Sequence, residues 1–226
     1  MTMNLLRAHM TKSEMAAQYI QEQILSGTAR PGSSITTTAV SEALGMSETP
    51  VREAIKSLAA EGWLEHSAHR GTVVTSLNSA QIREIFILRG LLNAEAVRLG
   101  RAHFDAARLA ALDENLAQSE EAVRANDFDR YATLNSAFHE LLCNTPSTEW
   151  TWRLFGTLQG KSAMLRAGFR AVPDGLRKSF DAHLKVRAAL ACGDFEAAAE
   201  AVRIDEISAM EHLIEALAAE ERKGAA

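Results

Sequence analysis

The chain has 226 residues, 47% of them hydrophobic and 23% charged. That is enough apolar content for one large core or two small ones, and too much for a disordered tail. With 24 Lys+Arg against 29 Asp+Glu the formal net charge is −5, which argues against binding nucleic acid or anionic lipid through bulk positive charge. Any nucleic-acid contact must come from a local patch.

Cys143 and Cys192 stand far apart and form no CxxC or Cys/His cluster, so a disulfide-stapled secreted fold is not expected and both thiols read as reduced and buried. Met1–Met10 contains no long apolar run and gives no signal-peptide pattern. No window approaches the ~20 apolar residues of a membrane helix. The expectation is a soluble, cytoplasmic protein with no membrane partner.

In chain order, Ser13 is placed to cap a first helix with Met15, Tyr19, Ile20 and Ile24 on one face, ending at Gly27. The segment 28–34 is rich in Gly, Pro and Ser and reads as a loop. A second helix spans about Thr36 to Leu44, with Gly45 suited to positive φ behind it. A third opens at Ser47, tolerates Pro50 in its first turn and runs to Gly62. Residues 63–66 and 72–75 are β-prone runs about Gly71 and read as a hairpin.

Beyond Leu77 the pattern is helical, with expected helices over 79–103, 105–125, 127–143, 148–171, 174–192 and 194–222. Asp105, Asp127 and Asp194 sit at N-cap positions and Gly193 at a C-cap position. The fold class is mainly α: a winged helix-turn-helix over 11–76 with a small β-hairpin wing, then an all-α bundle of six or seven helices over 79–222. The first is expected to bind DNA.

In a helix-turn-helix the second helix enters the major groove with its N-terminal residues toward base edges. Glu48, Thr49, Arg52, Glu53 and Lys56 would then face DNA, with His69, Arg70 and Gly71 at the wing tip. Arg52 suits a bidentate contact to guanine, Lys56 and Arg70 suit phosphates. Three helices and a hairpin are also compatible with a plain docking module. In the bundle, Asn135 and His139 share a face, and His183 and Asp205 lie on two later helices. Two imidazoles and a carboxylate from three helices can make a divalent-metal site, although a histidine in a helix is more often structural.

Residues 45–55 (GMSETPVREAI), then Leu58, EGWLE from Glu61, and RGTVV from Arg70, resemble the winged helix of GntR-family transcriptional regulators. Two positions depart from the family pattern: Glu48 stands where Arg is usual before Thr-Pro, and Thr38 where a polar or charged residue, often Arg, is common. Leu88-Arg89, NSAFH from Asn135, DAH from Asp181 and GDFEAA from Gly193 resemble, more loosely, the helical C-terminal domain of the FadR branch. That resemblance implies a metal held by one Asp and three His, with small carboxylate effectors bound on or beside it. Carried onto this chain, the metal set is Asn135, His139, His183 and Asp205, with a carboxylate lost at the first position and one gained at the last.

The loss of a nitrogen donor favours a harder ion within the Zn, Ni or Mn class. The alternative is direct recognition of the ligand by these side chains without metal. Effector binding is assigned to Arg89, Asn135, His139 and His183, with the Arg89 guanidinium able to clamp a carboxylate. The resemblance implies a homodimeric repressor on a pseudo-palindromic operator, responsive to a small organic acid. A metal-dependent enzyme and a sensing adaptor without operator binding are the alternatives. No catalytic residues are assigned, since no phosphate loop, nucleophile elbow or HExxH is present.

Overall fold

The structure, a computed structural model, describes residues 10–163 and 165–224. The stretch read for a signal peptide lies outside them up to residue 9. The chain divides into two compact units, the first comprising residues up to Asn78 together with Gly160–Ala167, the second Ser79–Gln159 and the chain from Gly168.

The first unit holds α1 (Lys12–Leu25), α2 (Thr37–Leu44), α3 (Glu48–Ala60), β1 (Leu64–Ser67) and β2 (Gly71–Val74). Thr11, not Ser13, caps α1: its hydroxyl accepts from the Glu14 amide while the Glu14 carboxylate receives the Thr11 amide. This reciprocal box satisfies two donors that the first helical turn leaves unpaired, so it wins over a serine two residues later. The buried stripe is Ala16, Ile20 and Ile24, at a spacing of four, while Met15 is exposed. Gly45 adopts φ +61° and reverses the chain between α2 and α3, a conformation that disfavours any Cβ.

Strands β1 and β2 pair antiparallel, with Leu64 opposite Val74 and Ser67 opposite Gly71. Ser34 adds one bridge to Val73. Ile20, Val51, Leu58, Trp63, Leu64 and Val74 fill the core under this sheet. The face of α3 that is left carries polar side chains.

The chain beyond Asn78 contains α4 (Ser79–Leu99), a 3₁₀ turn at Arg101–His103, α5 (Ala106–Arg124), α6 (Phe128–Cys143), α7 (Glu149–Ala163), α8 (Arg166–Arg170), α9 (Gly175–Ala191) and α10 (Phe195–Gly224), all in the second unit except the α7–α8 junction over Gly160–Ala167. Three expectations are corrected. The helix read over 79–103 stops at Leu99, because Gly100 introduces a tighter turn. The helix read over 148–171 is two, α7 and α8; Gly160 and Gly168 flank the interruption, each weakening the helix by about 1 kcal/mol relative to Ala. Cys192 is exposed, because it caps α9 just before the Gly193 turn, whereas Cys143 is buried.

Asp105, Asp127 and Asp194 accept from amides three residues on, as N-caps do. Helices α4 and α10 pack along each other, α9 packs on α10 and α5, and α6 packs on α5 and α4. At Gly90 of α4 an added Cβ would stand 3.4 Å from the Arg203 carbonyl oxygen of α10, so the two helices run in near contact here. Phe138, Leu142, Val186, Ala198 and Val202 lie in the shared core. Among the described residues no helix is long and apolar enough to cross a membrane.

Candidate functional site

In the first unit, Glu48, Thr49, Arg52 and Lys56 are all exposed on α3, while Val51, Ala54 and Leu58 of the same helix are buried. Thr49, Arg52 and Lys56 follow a 3–4 spacing, which puts them on one stripe. Oε2 of Glu48 lies 2.7 Å from Nη2 of Arg52, an i,i+4 pair, and Thr38 Oγ1 of α2 donates to Glu48 Oε1 at 3.4 Å. The two positions that depart from the family pattern therefore touch each other. At the wing, His69, Arg70 and Gly71 are exposed, and Arg70 Nη1 donates to the Gly32 carbonyl at 3.1 Å.

In the second unit, four helices bring polar side chains into one buried cluster: Arg89 and Asn93 from α4, His139 and Cys143 from α6, His183 from α9, and Asp205 and Glu206 from α10. Spacings of four on α4 and on α6 put each of those pairs on one inward face. Candidate ligand atoms of His139, His183 and Asp205 lie within 4.8 Å of one another. Asp205 Oδ2 is 3.5 Å from His183 Nε2 and 3.8 Å from His139 Nε2. The Phe138 ring stacks on His183 at 3.9 Å.

Neither ring nitrogen of buried His183 has a hydrogen-bond partner among the described residues. Asn135, one turn before His139, is half-buried and accepts a long bond of 3.5 Å from the Ser179 hydroxyl.

Arg89 is turned onto an internal carboxylate. Its Nε and Nη2 donate to Glu206 Oε1 at 3.2 and 2.8 Å, and its guanidinium lies 5.1 Å from the ring centres of Phe86 and Phe155. Asn93 Nδ2 donates to the same Glu206 oxygen at 2.9 Å and lies 3.2 Å from His139 Nδ1. Asn93 Oδ1 accepts from the Cys143 thiol at 2.9 Å. Asn93, Cys143 and Glu206 were not anticipated from the sequence. The available signal was position: Asn93 follows Arg89 by four, and Glu206 follows Asp205 directly.

Burial, reinforced by the neighbouring His183, pushes the His139 pKa down to about 3. Burial works to raise the Asp205 carboxyl, but His183, His139 and Arg89 outweigh it and hold it below the usual carboxylate range. Burial raises the Glu206 carboxyl against the opposing pull of Arg89. Asp205 and Glu206 thus place two carboxyl groups beside the one guanidinium of Arg89 in this buried cluster.

Two carboxyl groups and two imidazoles are donors that suit a cation. Two imidazoles and a carboxylate converging in the buried core fit a divalent first-row ion, and His183, whose Nε2 has only the 3.5 Å approach of Asp205 and whose Nδ1 makes no hydrogen bond among the described residues, has donor capacity to spare.

Residues 84–214 match the FCD domain, and residues 12–74 match the bacterial regulatory proteins of the gntR family. The chain is 33% identical over 124 residues to the uncharacterized HTH-type transcriptional regulator YdhC of Bacillus subtilis, covering 54% of this chain and 55% of that protein. It is 27% identical over 122 residues to the HTH-type transcriptional repressor RspR of Escherichia coli, covering 54% of each. The matches thus span about half the length of these relatives. Among solved structures, E. coli McbR/YncC superposes with a TM-score of 0.78 at 22% identity, over 91% of this chain and 98% of that one, which is a likeness of fold.

Proposed function

This chain belongs to the GntR family of bacterial regulatory proteins and carries an FCD domain, and from that premise we propose that it is a homodimeric transcriptional regulator, acting in the cytoplasm as a repressor, whose bundle senses a small organic acid through a divalent metal ion. The family and the relatives are those of transcriptional regulators, not of enzymes.

Residues 11–76 are assigned to operator binding. The exposed stripe Thr49, Arg52 and Lys56 faces the major groove, while His69, Arg70 and Gly71 of the wing reach the backbone or the minor groove. Residues 79–222 are assigned to sensing and dimerisation. Ile87, Leu88 and Leu91 of α4 and Ile204 of α10 are exposed apolar residues that a second copy would cover. A two-fold pair of winged helices then matches a pseudo-palindromic site.

The observation that carries the sensing assignment is the convergence of His139, His183 and Asp205 in a buried cluster. These three would hold the ion, with the Asn135 side chain one turn from His139. A bound divalent ion supplies the positive centre that a carboxylate effector requires. Around it, the Phe138 ring fixes His183, the closed core excludes water, and Arg89 is an internal cation at present engaged by Glu206. A ligand acts on operator affinity only through its differential affinity for two arrangements of the protein, typically about 1–3 kcal/mol of coupling.

The test has two arms. Full-length protein should retard a duplex carrying its own promoter region, and Arg52→Ala should weaken that shift and relax its base preference; unchanged binding removes α3 as the reading helix. In the second arm, elemental analysis should find near-stoichiometric ion that is lost in the His139→Ala, His183→Ala double variant. Succinate and related acids should raise the thermal midpoint of the metal-loaded protein alone. Binding of the acid that ignores chelator would instead establish direct recognition without metal.

A further inference from the structure

Glu48 is an anion at the DNA-facing end of α3, where phosphates repel a carboxylate. Its two oxygens are separately engaged: Oε1 receives Thr38 Oγ1 of α2 at 3.4 Å, and Oε2 meets Arg52 Nη2 at 2.7 Å. All three side chains are exposed. An exposed i,i+4 ion pair of this kind does little for stability. What it does do is set the position of both charged groups relative to α2 and hold them side by side on the edge that would enter a groove.

The groups a carboxylate can face in the major groove are the amino donors of the bases. On adenine the N6 amino group sits beside the N7 acceptor, whose lone pair repels a carboxylate. On cytosine the N4 amino group has no neighbouring acceptor on its own base, which is why acidic side chains pair with cytosine. Arg52 offers five N–H groups, so a guanidinium already touching Glu48 retains donors for the O6 and N7 of guanine. Resting on the operator-binding reading above, we propose that Glu48 is a specificity-determining residue, which accepts from the N4 amino group of a cytosine next to the guanine taken by Arg52. The Glu48–Arg52 pair then reads two adjacent bases while adding no net charge toward phosphates.

The experiment is selection of binding sites from a pool of randomised duplexes by the full-length protein, followed by sequencing of the bound fraction. The wild type should enrich one cytosine per half-site roughly 5- to 150-fold over other bases, the range for one good base contact. Glu48→Ala should lose that preference and keep the adjacent guanine. Glu48→Gln should turn the cytosine preference into adenine, because an amide both donates to N7 and accepts from N6.

Two results overturn the proposal while leaving DNA binding intact: a Glu48→Ala motif identical to the wild type, or loss of the guanine together with the cytosine, which makes Glu48 a support for Arg52 alone. A wild type that enriches no motif at all, with its thermal midpoint intact, overturns the operator-binding reading itself. Glu48 is exposed and caps no buried group, so each variant should fold with an unchanged midpoint.

Discussion

Asn93 holds its Nδ2 3.2 Å from Nδ1 of His139, and the direction of that contact is fixed by what else Asn93 touches. Nδ2 also donates to Glu206 Oε1, an oxygen already receiving Arg89, and Oδ1 takes the Cys143 thiol. Reversing the amide would set two oxygens against each other at Glu206. Nδ1 of His139 must therefore accept, and its proton sits on Nε2, toward Asp205. A metal held by Nε2 of His139 requires the other tautomer, and with it a turned Asn93 amide.

Asn93→Asp should accordingly tighten metal binding. A carboxylate at this position accepts from Nδ1–H and leaves the Nε2 lone pair aimed at His183 and Asp205. Changes in such supporting groups are worth about 10- to 100-fold in affinity. The metal-free variant should melt earlier, since the new carboxylate lies against Glu206, and should gain more from added ion than the wild type. Calorimetric titration with Mn²⁺ or Zn²⁺ checks this, and an unchanged affinity would show that the His139 tautomer does not limit binding.

The chelator-treated protein should lose stability in mild acid through His139. Its pKa is about 3 folded and 6.5 in the reference state, so below pH 6.5 the unfolded chain binds the extra proton. Stability present above pH 6.5 is then lost as the pH falls toward 3, by up to about 1.4 kcal/mol per pH unit. Glu206, raised by burial, acts with the opposite sign, so a single curve mixes the two. Urea unfolding at pH 7 and pH 5 should show the wild type losing about 2 kcal/mol more than His139→Gln. Equal losses would mean that the imidazole is solvated or charged in the fold.

Arg89 and Glu206 are both buried, with 8% and 2% of their side chains exposed, and meet at 2.8 Å. Removing one partner strands the other charge, so Arg89→Met or Glu206→Leu alone should lower stability by about 3–5 kcal/mol. The double variant should recover most of that loss, because burying two apolar groups replaces two desolvated ions. A double-mutant cycle by denaturant unfolding measures the coupling. Additive losses would show that each residue is held by its other neighbours and not by the pair.

Most of the local structure could be read from local signals. Gly45, Pro50 and the period of Val51, Ala54 and Leu58 mark the turn and the buried face of α3, and aspartates mark three helix starts. What could not be read depends on partners distant in sequence. Glu206 looks like one more acid in a charged helix until Arg89, 117 residues earlier, is found on it. The Arg89 clamp expected to be open for a ligand is engaged for the same reason. The pairing of Thr38 with Glu48 arises from how α2 meets α3 across Gly45, a tertiary angle that no period in the sequence encodes.

The acidic balance of the chain leads to the last prediction. Residues 1–76 contain 6 Lys+Arg and 7 Asp+Glu, leaving 18 and 22 for the remainder. The excess acid lies mostly outside the winged helix, yet that unit is not basic either. Of its cations on the reading surface, Arg52 is matched by Glu48, which leaves Lys56 and Arg70 as phosphate contacts. Each neutralised phosphate contributes about 0.9 to the slope of log affinity against log salt, so a dimer using these two residues twice should show a slope near −4. Anisotropy titrations over a range of KCl concentrations measure this. Arg70→Ala should reduce the slope by about 2 in the dimer and weaken all sequences alike, whereas Arg52→Ala should relax base preference and leave the slope nearly unchanged. A slope steeper than about −8 would place the main phosphate contacts on a different surface of the protein.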